Sequence, residues 1–372
     1  MPKGNRMKDP INLILKMVSL FFGACLITSY FTPFINPTDY TLLPFFGLAF
    51  PVLLLINTVL FIVWLSKRDS WLWLPAAILV IGIPFQMKIF SVSIVTNEVP
   101  KGASQWKVMS YNVHLFDLYN PDFRAALKTR DRIFNFIRKE APDVLCLQEY
   151  YEQKKPTKFN TLDSIKSIMD SDLYHEKGIS LSKSRQNFGV AIFSKYPIIN
   201  HGDVEHQTVD NNSNNYCIYV DLVKGADTIR FYNVHLQSIK LEANVYKNTS
   251  KKKGKNDPSK SLKRGFQKLK SAFSIRAKQS EAVSKHIKTS PYPVIVTGDF
   301  NDTPMSYTYH KFEDQLTDAF LNTSSGFGAT YVGILPAGRI DYIFHSKKLN
   351  SSNFKIQEAE LSDHRAISCI IY

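Results

Sequence analysis

The chain has 372 residues, a formal charge of +14 and four cysteines. That length exceeds a small module and suits one large domain with an additional segment, and the basic excess favours anionic partners without choosing among nucleic acid, acidic lipid and phosphorylated metabolites. Cys25, Cys146, Cys217 and Cys369 form no CxxC or Cys/His spacing, which speaks against zinc and leaves them as buried free thiols.

The first hundred residues differ from the rest. Residues 11–31 are nearly all apolar, and residues 42–65 are apolar with no charge. A spanning helix needs about 20 such residues, and both runs meet that length. A third run, 71–85, is marginal unless 89–95 extends it. Pro33, Pro37 and Pro44 punctuate the first gap and Lys67, Arg68 and Asp69 the second, with Trp64, Trp71 and Trp73 where aromatic belts lie. Residues 1–95 are therefore predicted to hold about three transmembrane helices. A cleaved signal peptide would have a single short apolar core instead. Lys3, Arg6, Lys8 and Lys16 precede the first span, Lys67 and Arg68 follow the second, and the first loop has no Lys or Arg. The positive-inside rule then places the N-terminus in the cytoplasm and, after three spans, the remainder outside the cytoplasmic membrane. A third segment lying only in the interface would keep it inside, the direction in which Lys88, Lys101 and Lys107 pull.

Residues 96–103 read as a linker and 104–372 as the second domain. Strands are predicted at 107–111, 143–147, 190–194, 217–223, 228–235, 294–297, 339–345 and 366–371. The pair 217–223 and 228–235 forms a hairpin across Lys224-Gly225-Ala226-Asp227. Helices are predicted at 124–139, with Ile133, Phe136 and Ile137 on one face, and at 275–287. Strands interleaved with helices give an α+β or mixed layered architecture. Residues 240–270 form a basic insertion, read as a loop up to Ser261, that is either a solvated excursion or an electrostatic arm for a polyanion or anionic bilayer.

Short polar clusters close the apolar runs: Ser110-Tyr111-Asn112, Gln148-Glu149, Asn233-Val234-His235, Gly298-Asp299-Phe300-Asn301, Arg339-Ile340-Asp341 and Ser362-Asp363-His364. Together they collect carboxylates, carboxamides and two histidines at strand ends, an inventory for a divalent cation and a phosphate ester. Magnesium takes oxygen ligands and keeps waters, so one or two carboxylates suffice. Glu149 is either a ligand or a surface residue at a strand end. Asp299 and Asn301, two apart on extended chain, face one side, where one can activate a water and the other hold it or the phosphate. Gly298 allows a close backbone approach. A carboxylate such as Asp341 or Asp363 can fix the tautomer of His364 and raise its basicity, although a lone histidine is more often structural.

These clusters, with Gly189-Val190-Ala191-Ile192-Phe193-Ser194 and His235-Leu236-Gln237-Ser238, resemble the endonuclease/exonuclease/phosphatase superfamily over residues 104–372. That superfamily includes DNase I, exonuclease III-type AP endonucleases, neutral sphingomyelinases and inositol-polyphosphate 5-phosphatases. The resemblance implies a four-layered α/β sandwich and Mg²⁺- or Mn²⁺-dependent hydrolysis of phosphate esters. It assigns Asn112, Glu149 and Asp363 to the metal, with Asn112 also at the phosphate. Asp299 would orient or deprotonate the attacking water beside Asn301. His364, paired with Asp341, would act as base or bind phosphate, and His235 would serve the departing side of the substrate. Position 114 is His, where exonuclease III-type enzymes continue Asn-x-Asp, so an abasic-site role does not follow. The expected function is a membrane-anchored nuclease or phosphodiesterase. The alternatives are a lipid or sugar-phosphate phosphodiesterase and a catalytically silent anion-binding module.

Overall fold

The computed structural model describes residues 10–93, 99–181, 185–205, 217–239, 258–333 and 338–372. Most of the basic insertion and the first three residues of the linker lie outside the described residues.

The N-terminal region begins with helices α1 (Pro10–Tyr30), α2 (Leu43–Leu48) and α3 (Phe50–Lys67). Polar side chains on α1 and α3 pair with each other, as apolar surroundings demand. Trp64 Nε1 donates to Ser19 Oγ at 2.9 Å, Asn57 Nδ2 to the Phe22 carbonyl at 3.1 Å, and Lys67 Nζ to Asn12 Oδ1 at 3.0 Å. These contacts set α1 and α3 antiparallel. The predicted 42–65 span is broken at its start, because Pro44 and Pro51 withhold two backbone donors and divide the run into α2 and α3. The third expected span is bent. Helices α4 (Trp73–Ile81) and α5 (Ile83–Ile89) meet at about 59° beside Gly82, where Pro84 cannot continue the hydrogen-bond ladder. Two helices, α1 and α3, are thus long and apolar enough to cross a membrane, or up to three spans if the bent pair counts as one.

After the two-residue strand β1 (Ser91–Val92) come β2 (Trp106–Asn112), α6 (Phe123–Glu140), β3 (Val144–Gln153), α7 (Leu162–Met169), β4 (Tyr174–Leu181), β5 (Gln186–Ser194), β6 (Ile198–Asp203), β7 (Cys217–Lys224) and β8 (Asp227–His235). The chain continues with α8 (Pro258–Ile287), β9 (Val294–Asp299), α9 (Tyr307–Glu313), β10 (Leu316–Asp318), α10 (Ala319–Thr323), β11 (Ser325–Gly326), β12 (Asp341–Ser346), β13 (Ser351–Ile356) and β14 (Ile367–Ile371). One sheet has the order β13-β14-β2-β3-β5-β4 and the other β10-β12-β9-β8-β7-β6, while β1 and β11 form a separate ribbon. The expected hairpin is β7–β8, paired antiparallel with Lys224 opposite Asp227. Helix α8 starts at Pro258, well before the expected 275, so Lys263, Arg264, Lys268 and Lys270 stand on a helix rather than a loop.

Strand periodicity builds the layers. Trp106 and Val108 on β2, Val144 and Cys146 on β3, Ile229 and Phe231 on β8, Ile295 on β9 and Ile343 on β12 all enter the core between the sheets. Their neighbours Met109, Tyr111, Leu145 and Leu147 face α6 and α7, where Ile133 and Ile137 are buried and Phe136 packs at the margin. Tyr232, Val234, Val296, Tyr342 and Phe344 pack on the far side with Val283 of α8 and Phe312 of α9. The result is the expected four-layered sandwich. Cys146, Cys217 and Cys369 are buried free thiols, as read from the sequence, whereas Cys25 is only partly buried.

Candidate active site

The alternation that places Val108, Cys146, Phe231, Ile295 and Ile343 in the inter-sheet core continues, one or two steps toward one end of each strand, to Asn112, Gln148, Asn233, His235, Asp299 and Asp341. The site is therefore the polar end of the core. Parallel pairing sets Asn112 beside Gln148 and His235 beside Asp299, and antiparallel pairing sets Asp341 against Asp299. Gly298 has φ +143°, and a Cβ there would stand 1.9 Å from the Val234 carbonyl oxygen, so a side chain would push β9 away from β8 where Asp299 emerges.

Asp299 is the hub. Asn112 Nδ2 donates to its Oδ2 at 3.0 Å, the Asn301 amide to its Oδ1 at 2.8 Å and Asn301 Nδ2 to its Oδ2 at 3.1 Å. The same Asn301 Nδ2 reaches the Leu236 carbonyl at 3.1 Å. His364 Nε2 and His235 Nε2 lie 3.6 and 3.7 Å from Asp299 Oδ2. Burial raises the Asp299 carboxyl to about 6, with the facing Asp341 adding to the rise and both histidines and Asn112 opposing it.

His364 is held from behind. Its Nδ1 lies 3.0 and 3.2 Å from the two Asp341 oxygens, and Asp341 is fixed in turn by its backbone amide donating to Thr330 Oγ1 at 3.1 Å. The ring of Tyr331 meets the imidazole edge-on with centroids 5.1 Å apart. Burial by itself would lower this histidine, but the Asp341 and Asp299 carboxylates overcome it and raise the group to about 10. The two carboxylates thus favour the imidazolium form of His364.

On the opposite wall stand Glu149, Asn112, Asp363 and His114. Glu149 sits at an irregularity in the β3–β5 register with φ +48°, a strained backbone that aims its carboxylate into the cleft. Its side chain keeps 30% of its surface open, and His235 Nε2 lies 4.0 Å from Oε1. Desolvation raises the Glu149 carboxyl, with Asp363 adding to the rise while His114, His364 and Asn112 oppose it. His114 Nδ1 lies 3.8 Å from Asp363 Oδ1, and Ser362 Oγ donates to the Asn112 carbonyl at 2.8 Å, tying this loop to the end of β2. Positive φ recurs at His114 (+45°) and Asn301 (+54°), so backbone strain is concentrated around the cleft.

Two donor groups could hold a divalent ion. Asp299, Asp341 and His364 offer ligand atoms all within 4.8 Å of one another. In that group the imidazole Nδ1 is already engaged by Asp341. Glu149, Asp363 and the Asn112 carboxamide offer oxygen alone, the donor type preferred by Mg²⁺ and Mn²⁺, and the nearby Asp363 makes Glu149 costlier to ionise. The residues present fit such an ion.

The structure brings Asn112, Glu149, His235, Asp299, Asn301, Asp341, Asp363 and His364 into one cleft. Arg339, part of a quoted motif, is not in it; it is buried against Asp318 and donates to the Lys88 carbonyl at 3.1 Å. Sequence reasoning gave no role to the carboxamide bridge below the cleft. There Gln148 Nε2 donates to Asn233 Oδ1 at 2.6 Å and to Ser110 Oγ at 3.1 Å, joining the two sheets. Its signal was present, since both residues share the parity of core positions. Thr330 and Tyr331, in contrast, lie on a loop with no pattern to read.

Comparisons with known proteins bear on the family and the fold. The model of the "Endonuclease/Exonuclease/phosphatase family" matches residues 109–364, and a domain of unknown function, DUF8431, matches residues 12–89. No curated protein matches the chain. Among solved structures, an endonuclease/exonuclease/phosphatase from Beutenbergia cavernae DSM 12333 aligns with TM-score 0.51 and 17% identity over 72% of this chain and 71% of that one. A family protein from Leptotrichia buccalis C-1013-b gives TM-score 0.51 and 16% identity over 72% and 99%. The human Nocturnin catalytic domain, solved with a bound sulfate anion, gives TM-score 0.50 and 18% identity over 72% and 93%. At these identities the likeness is one of fold.

Proposed function

Because the chain belongs to the endonuclease/exonuclease/phosphatase family, whose members are typically phosphoesterases that use divalent metal ions, we propose that it is a Mg²⁺- or Mn²⁺-dependent phosphodiesterase anchored in a membrane. The observation that carries this reading is the Asp299 carboxylate, gripped by Asn112 and Asn301 and faced by two imidazoles at the joint end of both sheets.

In hydrolysis, water attacks phosphorus, its proton leaves, and the bond to the departing oxygen breaks. Asp299, raised to about 6, accepts that proton near neutral pH while Asn301 fixes the carboxylate and the water. His364, raised to about 10, stays cationic and binds the phosphoryl oxygens, which favours the phosphate-binding role over the base role. Asp341 holds the imidazolium in place. His235 assists the departing oxygen, and Asn112 contacts the phosphate. Glu149, Asp363 and Asn112 would hold the metal, which when bound neutralises charge on the phosphate.

The N-terminal region supports membrane anchoring with the enzyme on the extracytoplasmic side. Lys16, Lys67 and Arg68 gather at one end of the helices, with Lys16 Nζ 5.0 Å from the Trp71 ring centre. The catalytic domain meets the other end, near Tyr30 and Phe50. We read residues 1–95 as the membrane domain, 96–103 as linker and 104–372 as the catalytic domain.

The basic insertion favours a polyanion such as nucleic acid. A lipid or sugar-phosphate ester is the second reading. It is favoured by the stack of Phe266 on Phe45 at 4.5 Å, which holds the basic start of α8 against the N-terminal helices. The test is Mg²⁺-dependent hydrolysis by the purified full chain and its Asp299→Ala variant, across plasmid DNA, RNA, phospholipids and sugar phosphates. Asp299-dependent turnover of nucleic acid supports the lead reading, and turnover confined to lipid supports the second. Anion binding without turnover by metal-replete protein leaves the silent module.

A further inference from the structure

The loop that leaves β9 does two things within a few residues. Asn301 fixes Asp299, and Met305 leaves the catalytic domain altogether. The Met305 side chain is fully buried among Leu26 and Tyr30 of α1, Phe50 and Leu53 of α3 and Ile78 of α4. Its carbonyl oxygen lies 2.7 Å from Thr32 Oγ1, whose single hydrogen is shared with the Ser29 carbonyl, also at 2.7 Å. Gly47 of α2 closes the seat, since a Cβ there would stand 2.7 Å from Thr32 Oγ1 and 2.8 Å from the Met305 oxygen. Between the two ends the loop is taut. The Tyr342 hydroxyl donates to the Asp302 carbonyl at 2.8 Å, Arg276 Nε donates to Asp302 Oδ2 at 3.1 Å, and the Ser306 amide donates to the Thr303 carbonyl at 3.0 Å.

Anchoring alone does not call for this plug. Lys88 pairs with Glu313 and Phe45 stacks on Phe266, both away from the site loop, while Asn36 Nδ2 donates at 2.9 Å to Glu281 Oε1, which also accepts from the Tyr307 hydroxyl just beyond that loop. The Met305 contact differs because it belongs to the segment that carries Asn301.

We infer that the N-terminal helices are a structural part of the active site: Met305 and Thr32 are positioning residues, and the seat formed by α1–α4 sets the loop through which Asn301 holds Asp299. This rests on the proposed role of Asp299 and gives the N-terminal module a task beyond attachment. Removing the plug lets the loop relax, Asn301 shifts from its strained φ, and the carboxylate loses two of its donors. Small displacements of this kind act on turnover rather than on substrate affinity.

The test uses the full chain in bilayer nanodiscs with Mg²⁺ and the soluble diester bis(p-nitrophenyl) phosphate. Met305→Ala and Thr32→Val are expected to lower kcat by about tenfold or more with little change in KM. Met305→Leu and Thr32→Ser restore kcat, and Lys88→Ala, which weakens only the anchoring, leaves it unchanged. Amide exchange at residues 299–302 is read in parallel, because it reports the loop without turnover. Faster exchange there in Met305→Ala but not in Lys88→Ala supports the seat even if no phosphate ester is hydrolysed, a result that would sink the functional reading alone. Wild-type kcat and exchange in Met305→Ala, or equal losses in Met305→Ala and Lys88→Ala, overturn the inference.

Discussion

The two sheets share one pairing pattern and contribute different chemistry. In each, a central parallel pair (β2–β3 in one, β9–β8 in the other) is flanked on both sides by antiparallel strands. Corresponding strand ends meet across the sandwich: Asn112 of β2 bonds Asp299 of β9, and Gln148 of β3 bonds Asn233 of β8. The first sheet supplies oxygen and amide groups at its strand ends, with Glu149 on its strained turn, and brings His364 in on the loop entering β14. The second supplies the Asp299 and Asp341 carboxylates and the His235 imidazole. Architecture sets where reactive groups gather, and under the proposed roles residue identity at equivalent strand ends would divide metal holding from proton transfer.

If that division is right, substitutions on the two sheets fail in different ways. Asp299→Asn, on the second sheet, should cut kcat by roughly 10³-fold while leaving the half-saturating Mg²⁺ concentration nearly unchanged, measured by steady-state kinetics across a metal titration. Glu149→Gln, on the first sheet, should raise the half-saturating Mg²⁺ concentration by about 10- to 100-fold, with much of kcat recovered at saturating metal. The reverse pattern would break the comparison. Gln148→Ala leaves the buried Asn233 oxygen without this donor and should lower unfolding stability by about 1–3 kcal/mol in a denaturant titration, with a smaller effect on the metal requirement.

The smallest effect is one of pH, at the edge of the first sheet. Burial raises the Glu176 carboxyl from 4.5 to about 7, and the neighbouring Glu152 adds to the rise. The folded state therefore holds a proton that the unfolded chain releases, so Glu176 lowers stability progressively as pH rises from about 4.5 to about 7. Glu176→Gln should flatten that slope, and the melting-temperature gap between variant and wild type should grow across that window. A constant gap from pH 4 to pH 8 would remove Glu176 as the cause.

How much of this was legible in the sequence follows from position in the sheets. The eight interior strands, β2, β3, β5, β7, β8, β9, β12 and β14, were all found as apolar runs. Within the two six-stranded sheets, the four that escaped, β4, β6, β10 and β13, are the four edges, and the short ribbon strands β1 and β11 escaped as well. Edge strands carry charge and polarity that discourage pairing with other chains, as in His175-Glu176-Lys177 of β4, and that composition hides them from a reading based on hydrophobic periodicity. The site was legible because its residues continue the inward-facing parity of interior strands. Missed features depend on pairings that no local window contains: the Gln148–Asn233 bridge, the Thr330 support of Asp341 and the seat for Met305. The start of α8 was missed because lysines that read as a solvated loop also suit the exposed face of a helix.

The Gln148–Asn233 bridge has a consequence for descent. Both amides are buried and Gln148 Nε2 is the donor to the Asn233 oxygen, so a lineage that loses one inherits an orphaned polar group, whereas one that replaces both with apolar side chains of matching shape need lose little. The two positions lie 85 residues apart. They should nevertheless drift as one character, with single replacements as the valley between two tolerated states.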